Sequence, residues 1–292
     1  MLRKTIFVLG FLAPAIVFAQ GFKREAFWSS QNGQIEEAVV LGVPEAEFQR
    51  AFDYYVGNDL ELSLIDAYDL KGDVFFNMAF RTRTSSSWLA KAGMRGLDFE
   101  LELAENRAAG RCLRHLDVYR TGADQLRYAA VFKTKACAQQ EVYHGLSASE
   151  HQLRFDALTA KGWAPVNVSV VSVGGDRIYA AFYEQQQGDF SVQSFLTTDA
   201  ISEHAANLGP GYEITYMDGY THDLGQLPRY SAIWRKRAKP VLSEFNIGGQ
   251  QVGEVSAKLN QSGHHVRYIT GFSMGGPSHR FNIGAYDPNM EN

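Results

Sequence analysis

Hydrophobic residues recur along this chain with two periods, one typical of helices and one typical of strands. Each stretch of helical period is followed by two short runs in which apolar and polar residues alternate. A turn rich in Gly and Asp joins the two runs, as in Lys71-Gly72-Asp73, and this predicts an antiparallel hairpin. The sequence therefore predicts a helix–strand–strand unit that occurs five times. The predicted helices are Pro44–Val56, Gly96–Ala109, Ser147–Lys161, Thr197–Leu208 and Gly249–Ser262.

The second strand of each unit carries an aromatic residue at a nearly constant interval of 51 or 52 residues. A fixed interval of this length indicates a tandem-repeat architecture. A small or slender residue follows two places later, and a second aromatic residue follows two places after that in four of the five copies. Because alternate strand positions share a face, we predict that the repeated rings form a packing ridge of the core. The five rings are Phe76, Tyr128, Tyr179, Tyr230 and Phe281.

The helix ends carry local signals as well. Ser147 and Glu150 form the S-x-x-E pattern of a capping box at the start of the third helix. A glycine lies at or just past the end of every helix, where a positive φ is favourable. These glycines are Gly57, Gly110, Gly162, Gly211 and Gly263.

These patterns predict a single α+β domain over residues 20–292. Five tandem helix–β-hairpin repeats of about 51 residues would place their hairpins side by side in a curved antiparallel sheet covered by helices. The repeats are expected at 43–83, 94–135, 146–186, 197–237 and 248–288. Residues 23–28 have the form of 229–234, so we predict an extra strand that caps an open sheet edge. A ring closed by that strand is the alternative.

Residues 1–19 have the features of a signal peptide. Arg3 and Lys4 precede a mostly apolar run, and cleavage is expected near Ala19. An uncleaved membrane anchor is the alternative, but the run is short and contains Gly10 and Pro14. No later stretch approaches ~20 apolar residues, so no membrane span is expected in the mature chain. We therefore predict a secreted or periplasmic protein.

The charge balance of the chain argues against binding to nucleic acid. The 28 basic and 32 acidic residues give a net charge of −4, which offers no electrostatic case for nucleic acid.

Cys112 and Cys137 flank one hairpin and are predicted to form a disulfide in an exported protein, with two unpaired thiols as the alternative. Asn167-Val168-Ser169 and Asn260-Gln261-Ser262 match the N-glycosylation pattern, which matters only in a eukaryotic source.

The one enzyme motif is Gly271-Phe272-Ser273-Met274-Gly275, which has the form of the α/β-hydrolase nucleophile elbow. That elbow needs a strand before the serine and a helix after it. Here the motif falls in the predicted hairpin turn of the fifth repeat. His279 and Asp287 follow in the wrong order and close by, so we assign no catalytic residue and keep a Ser273 hydrolase as the alternative.

Two further sets of polar residues are candidates for a site. His264, His265 and His279 lie on one predicted hairpin, but no zinc-ligand spacing is present, so we predict no metal and no cofactor. Asp66, Asp117 and Asp218 recur on the first strands, and Arg127, Arg229 and Arg280 open second strands. We predict ion pairs across the hairpins, with a row of charges along a binding surface as the alternative.

The repeat unit resembles the bacterial tandem repeat domain, which also forms the N-terminal domain of secreted fungal polyglycine hydrolases. The resemblance is carried by the phrases at residues 145–163, 127–132 and 229–234. In those hydrolases catalysis belongs to a separate β-lactamase-like domain with an S-x-x-K motif, which this sequence lacks. The resemblance thus implies a stand-alone repeat domain without a transferred catalytic residue.

The sequence favours a secreted, non-catalytic binding or scaffolding domain. Its expected partner is an extracellular protein or glycan.

Overall fold

The computed structural model describes residues 26–31, 34–122, 124–134, 138–185, 188–222, 227–236, 240–261, 263–274 and 278–290. The predicted signal peptide at 1–19 and the start of the predicted capping strand lie outside these ranges. Residues 26–31 form strand β1 (Ala26–Gln31).

Each repeat contains an outer strand, a helix, an inner strand and a middle strand, in that order along the chain. The first repeat comprises β2 (Gln34–Pro44), α1 (Glu45–Gly57), β3 (Leu60–Leu70) and β4 (Asp73–Thr82), and the second β5 (Trp88–Met94), α2 (Gly96–Ala108), β6 (Cys112–Arg120) and β7 (Leu126–Lys133). The third comprises β8 (Gln140–Ser147), α3 (Ala148–Thr159), β9 (Trp163–Val173) and β10 (Asp176–Gln185). The fourth comprises β11 (Phe190–Leu196), α4 (Thr198–Leu208), β12 (Tyr212–His222) and β13 (Leu227–Lys236), and the fifth β14 (Leu242–Gly248), α5 (Gly249–Gln261), β15 (His265–Ser273) and β16 (His279–Tyr286).

The outer strand of each repeat was missing from the predicted helix–strand–strand unit. These strands have a shift in pairing register near their ends, because each contains a bulge at a residue with positive φ. The bulge interrupts the alternation of apolar and polar positions on which strand prediction relies. The residues with positive φ are Gly42, Gly93, Gly145, Phe195 and Asn246.

The hairpins do not join into one curved sheet, so that part of the predicted fold was wrong. Every repeat has its own antiparallel sheet, in the order outer, middle, inner, and β1 extends the first sheet by pairing with β2. The inner strand of each repeat contacts the inner strand of the next, and β15 of the fifth repeat contacts β3 of the first. The repeats therefore meet through the inner edges of separate sheets.

The repeated aromatic rings lie on the middle strands and are buried, with at most 4% of each residue exposed. Phe48 packs on Phe76 with ring centroids 4.6 Å apart, and the His151 ring stacks on Tyr179 at 4.3 Å. Phe48 lies in α1 and His151 in α3, so each contacts a ring on the sheet of its own repeat. These ring contacts therefore hold the helix on that sheet.

The helix signals in the sequence correspond closely to the structure. Ser147 and Glu150 form the capping box of α3, with the Ser147 amide donating to Glu150 at 2.8 Å. Four of the five predicted glycines have positive φ. The exception is Gly57, which belongs to α1, and Asp59 takes the left-handed conformation there instead.

Three further sequence predictions concern glycosylation, the disulfide and membrane spans. Asn167, the first candidate glycosylation site, is 1% exposed and its amide is bonded to the backbone of Leu116, so it is no acceptor in the folded protein. The predicted disulfide stays a prediction, because Cys112 is buried in β6 but Cys137 lies outside the described residues. No helix in the described part of the chain combines the length and apolar content needed to cross a membrane.

Candidate functional site between the inner strands

One polar side chain from each inner strand lies buried where the five repeats meet. These residues are no more than 5% exposed, and we call them the inner polar cluster. The members are Asp66, Asp117, Ser169, Asp218 and Thr270. The three aspartates each have a carboxylate oxygen within 4.8 Å of the other two.

Each member of the cluster accepts a hydrogen bond from the backbone of a neighbouring repeat. The donor is always the amide of the residue that follows the cluster member of that repeat. The five bonds are Ala67 N to Asp117 Oδ2 (2.8 Å), Val118 N to Ser169 Oγ (3.0 Å), Val170 N to Asp218 Oδ2 (2.5 Å), Gly219 N to Thr270 Oγ1 (2.6 Å) and Gly271 N to Asp66 Oδ2 (2.8 Å).

This pattern has a simple physical cause. The inner strand is the edge of its sheet, so its inward amides have no ladder partner. A buried amide without a partner costs ~1–3 kcal/mol, and a short polar side chain from the next repeat supplies the acceptor. Neighbouring inner strands are therefore joined by hydrogen bonds from backbone amides to these side chains, and not by backbone–backbone hydrogen bonds of a continuous sheet.

Three carboxylates in this environment cannot ionise independently. Burial raises the pKa of Asp66 to about 7, although bonds from Asn77, Gly271 and Thr270 oppose the rise. Burial also raises the pKa values of Asp117 and Asp218, and the neighbouring carboxylates raise them further. No described Lys, Arg or His forms an ion pair with the three, so protons are held in the cluster near neutral pH.

Directly beside the cluster, the inner strands line a partly open cavity of about 40 Å³. That volume is enough for a water molecule or a small ion. Residues of all five inner strands line it, among them Arg120 and Asp69, which form an ion pair at 3.3 Å.

Among the described residues, the three aspartates are the set whose atoms could jointly hold a metal ion. Carboxylate oxygens suit hard cations such as Mg²⁺ or Ca²⁺. However, one oxygen of each carboxylate already accepts a hydrogen bond from backbone. The three candidate histidines form no such set among the described residues: His265 faces Glu36 at 3.7 Å, while His279 Nδ1 lies 2.5 Å from the Tyr68 hydroxyl.

The predicted ion pairs across the hairpins are not formed. Asp117 lies opposite Ala129 and Asp218 opposite Ser231, and both carboxylates turn to the neighbouring repeat. Arg127 instead donates to the Leu126 carbonyl and Gln125. The prediction failed because the sequence pattern does not distinguish an exposed hairpin face from a buried edge between repeats.

Ser273 lies at the last position of β15, opposite His279 on β16. The serine is 6% exposed, and its amide and carbonyl are both bonded to the Thr221 hydroxyl of the fourth repeat. The chain continues into β16, with residues 275–277 outside the described ranges, and β15 and β16 form a hairpin. The strand–turn–helix context of a nucleophile elbow is therefore not met.

The first glycine of the same motif has a packing role. A Cβ atom on Gly271 would lie 2.3 Å from the Tyr68 ring and 2.6 Å from the Asn77 amide nitrogen. Tyr68 and Asn77 belong to the first repeat, so Gly271 allows the fifth repeat to approach it closely.

A family model matches this chain four times, in segments that follow the structural repeats. The model of the polyglycine hydrolase-like structural repeat matches residues 38–83, 85–135, 138–186 and 208–237. Together these segments cover more than half of the chain. This chain belongs to the polyglycine hydrolase-like structural repeat family. The matched segments begin in or before the outer strands of the first three repeats, which agrees with the four-element unit. No curated protein sequence matches the chain.

Proposed function

We propose that this protein is an exported, non-catalytic binding or scaffolding domain whose five repeats close into a ring. The observation that carries the proposal is the inner polar cluster. Its side chains, which would be the best placed for chemistry, are bonded to the backbone of neighbouring repeats. They hold the assembly together, and Ser169, the hydroxyl that donates to Asp117 Oδ1 at 2.9 Å, is fully buried and already accepts from the Val118 amide.

Closure is supported by contacts between the fifth and first repeats at several levels. Near the hairpin turns, the Tyr68 hydroxyl lies 2.5 Å from His279 Nδ1. At the cluster, Gly271 donates to Asp66. At the far end of the strands, Glu37 accepts from the Val266 amide at 2.8 Å, and Arg81 donates to the Val266 carbonyl. In a ring of this kind every inner edge has a neighbour, and the unpaired edges among the described strands are those of β1, β5, β8, β11 and β14.

The export signal supports a role outside the cytoplasm, and the ring supports a role in binding. In a ring of five sheets the five hairpins would end on one face, and the sequences that join their strands differ. Variable loops on a rigid scaffold are where proteins place binding residues. We infer an extracellular protein or glycan as the partner.

A serine hydrolase is the second candidate, favoured by the opposition of Ser273 and His279. For catalysis the imidazole should accept the serine proton while an acid orients its other nitrogen. Instead, His279 Nδ1 faces the Tyr68 hydroxyl, and burial lowers the pKa of His279 to about 4. We therefore place the non-catalytic role first.

A comparison of wild type with Ser273→Ala tests the two candidates. We expect the purified domain to bind a defined glycan or extracellular protein in an array, and the variant to bind it equally. We also expect no labelling of wild type by a fluorophosphonate probe, because Ser273 is only 6% exposed and lies in a β-hairpin rather than in a strand–turn–helix elbow. Labelling that disappears in the variant, together with lost ester hydrolysis, would replace the binding role by the hydrolase.

A further inference from the structure

The third and fourth repeats meet at an aromatic side chain held in an unfavourable backbone conformation. Phe195 has a φ of 72° at the bulge of β11. The equivalent residues of the other repeats are glycine or asparagine, which adopt this conformation at low cost. For a bulky residue it is a strained conformation, and such strain is found mainly at functional sites.

Two arginines pack against the Phe195 ring. The guanidinium carbon of Arg177 lies 4.7 Å from the ring centroid, and that of Arg229 lies 4.8 Å from it. Arg177 comes from β10 of the third repeat and Arg229 from β13 of the fourth. His222 approaches the same ring edge-on, with centroids 5.0 Å apart, and its Nδ1 lies 3.1 Å from the Ser172 hydroxyl. The guanidinium groups of Arg177 and Arg229, from two different repeats, are thus held side by side on the Phe195 ring.

No carboxylate compensates these arginines in the described part of the chain. Neither Arg177 nor Arg229 takes part in an ion pair there. Arg229 donates to the Pro228 carbonyl through Nη1, while its Nε is buried and has no hydrogen-bond partner among the described residues. Asp218, whose charge acts on Tyr220, accepts from the Val170 amide in the inner polar cluster.

The Tyr220 hydroxyl adds a further polar group to this position. It is buried next to Arg177, which acts on it as a hydrogen-bond donor, and no acceptor for the hydroxyl proton lies among the described residues. Together with the guanidinium groups it offers donors that a ligand with several oxygen atoms could accept from. Guanidinium groups bind carboxylate, phosphate and sulfate through paired hydrogen bonds, and cation–π contacts to an aromatic ring hold them in place.

We propose that Arg177 and Arg229, held on Phe195 and flanked by His222, form a binding site for an oxyanion group of the ligand. The site rests on the proposed binding role and specifies its ligand as anionic. A phosphate ester, a sulfated sugar and a uronic acid share this chemistry. The exposed edge of Phe195, 39% accessible, provides an apolar surface beside the anion.

The test is an NMR titration of labelled protein at low salt with inorganic phosphate, sulfate and galacturonate as separate arms. Saturable shifts of the Arg177, Phe195 and Arg229 signals are expected, and the arm with the tightest binding identifies the source of the anion. Arg177→Gln should lower the affinity at least tenfold. The matched control is Arg127→Gln, since Arg127 takes the place of Arg229 in the second repeat and lacks the aromatic partner; its affinity should equal that of wild type.

Phe195→Gly keeps both arginines and installs the residue that three other repeats use. It should fold normally and bind more weakly, which separates loss of the site from loss of the fold. Shifts absent in all three arms, or equal affinities of Arg177→Gln and Arg127→Gln, would overturn the site. Retention of a neutral glycan or protein ligand by Arg177→Gln would show that the binding role holds while this inference fails. No binding to any array component would count against the binding role itself.

Discussion

Asp117→Asn is expected to stabilise the protein at pH 8 and to have little effect at pH 5. The folded protein holds Asp117 beside two other buried carboxylates and no described cation, so its ionised form is disfavoured there. Asparagine keeps an oxygen that can accept from the Ala67 amide but carries no charge. We expect a higher free energy of unfolding at pH 8 for the variant than for wild type, because burial and the neighbouring carboxylates raise the pKa of Asp117 in the folded protein.

The sign follows from proton linkage. A carboxyl group whose pKa is higher in the folded than in the unfolded state favours folding most when it is protonated. Its contribution is therefore greatest below the unfolded pKa near 4, and it is lost as the pH rises towards the folded value, about 7 for Asp66. The aspartates of the cluster should thus destabilise the protein progressively between pH 4 and pH 8.

Buried histidines act in the opposite direction, so a variant is needed rather than a pH series alone. Burial lowers the pKa values of His115, His151 and His279 to about 4. Each loses its stabilising contribution as the pH falls below about 6.5, where the unfolded chain takes up protons. The histidines contribute equally to the free energy of unfolding of wild type and of Asp117→Asn, so the difference between the two proteins isolates the effect of Asp117. Urea unfolding at pH 5 and pH 8 measures this difference.

The contrary result has a clear meaning. A variant less stable than wild type at pH 8 would show that the charge of Asp117 is needed. If added Mg²⁺ or Ca²⁺ then stabilised wild type alone, and a chelator reversed the gain, the three aspartates would hold a cation rather than protons.

Gly271→Ala is expected to cost roughly 3 kcal/mol or more of unfolding free energy, at the upper end of overpacking effects in cores. The new methyl group would overlap the Tyr68 ring and the Asn77 amide. Neither can move freely, because Tyr68 contacts His279 and the Asn77 side chain donates to Asp66 and accepts from the Gly42 amide. Denaturant unfolding gives the difference directly.

The control is Gly57→Ala in the last turn of α1. No atom lies within 4 Å of its added methyl group, and its φ is not positive, so the change should be neutral or stabilising by up to ~1 kcal/mol. Equal stability of Gly271→Ala and wild type would mean that β15 does not pack closely against β3.

Gly271 also shows how far the sequence can be read. As part of a G-x-S-x-G string it indicates a hydrolase, whereas its position in the repeat predicts a hairpin. The repeat was the better guide, because an interval that returns five times carries more information than one short motif. The same interval located all five helices to within about two residues of their observed bounds.

Other features were out of reach of the sequence. The outer strands are short and bulged, although Gly42, Gly93 and Gly145 recur just before three helices and could have indicated them. The aspartates of the inner polar cluster were recognised as a repeat, but Thr270 was not recognised with them because it is chemically unlike them. Phe195 carries no repeated signal, since its site depends on Arg177, which only the third repeat has at that position.

Closure of the ring is tested most directly by distances between the starts of the middle strands. Spin labels at Asp73, Gln125, Asp176 and Ser278 would occupy equivalent, exposed positions of the first, second, third and fifth repeats. For a closed ring, the distance between Asp73 and Ser278 should match that between Asp73 and Gln125 and be shorter than that between Asp73 and Asp176. If Asp73 and Ser278 were instead the pair farthest apart, the repeats would form an open arc and the account would be wrong.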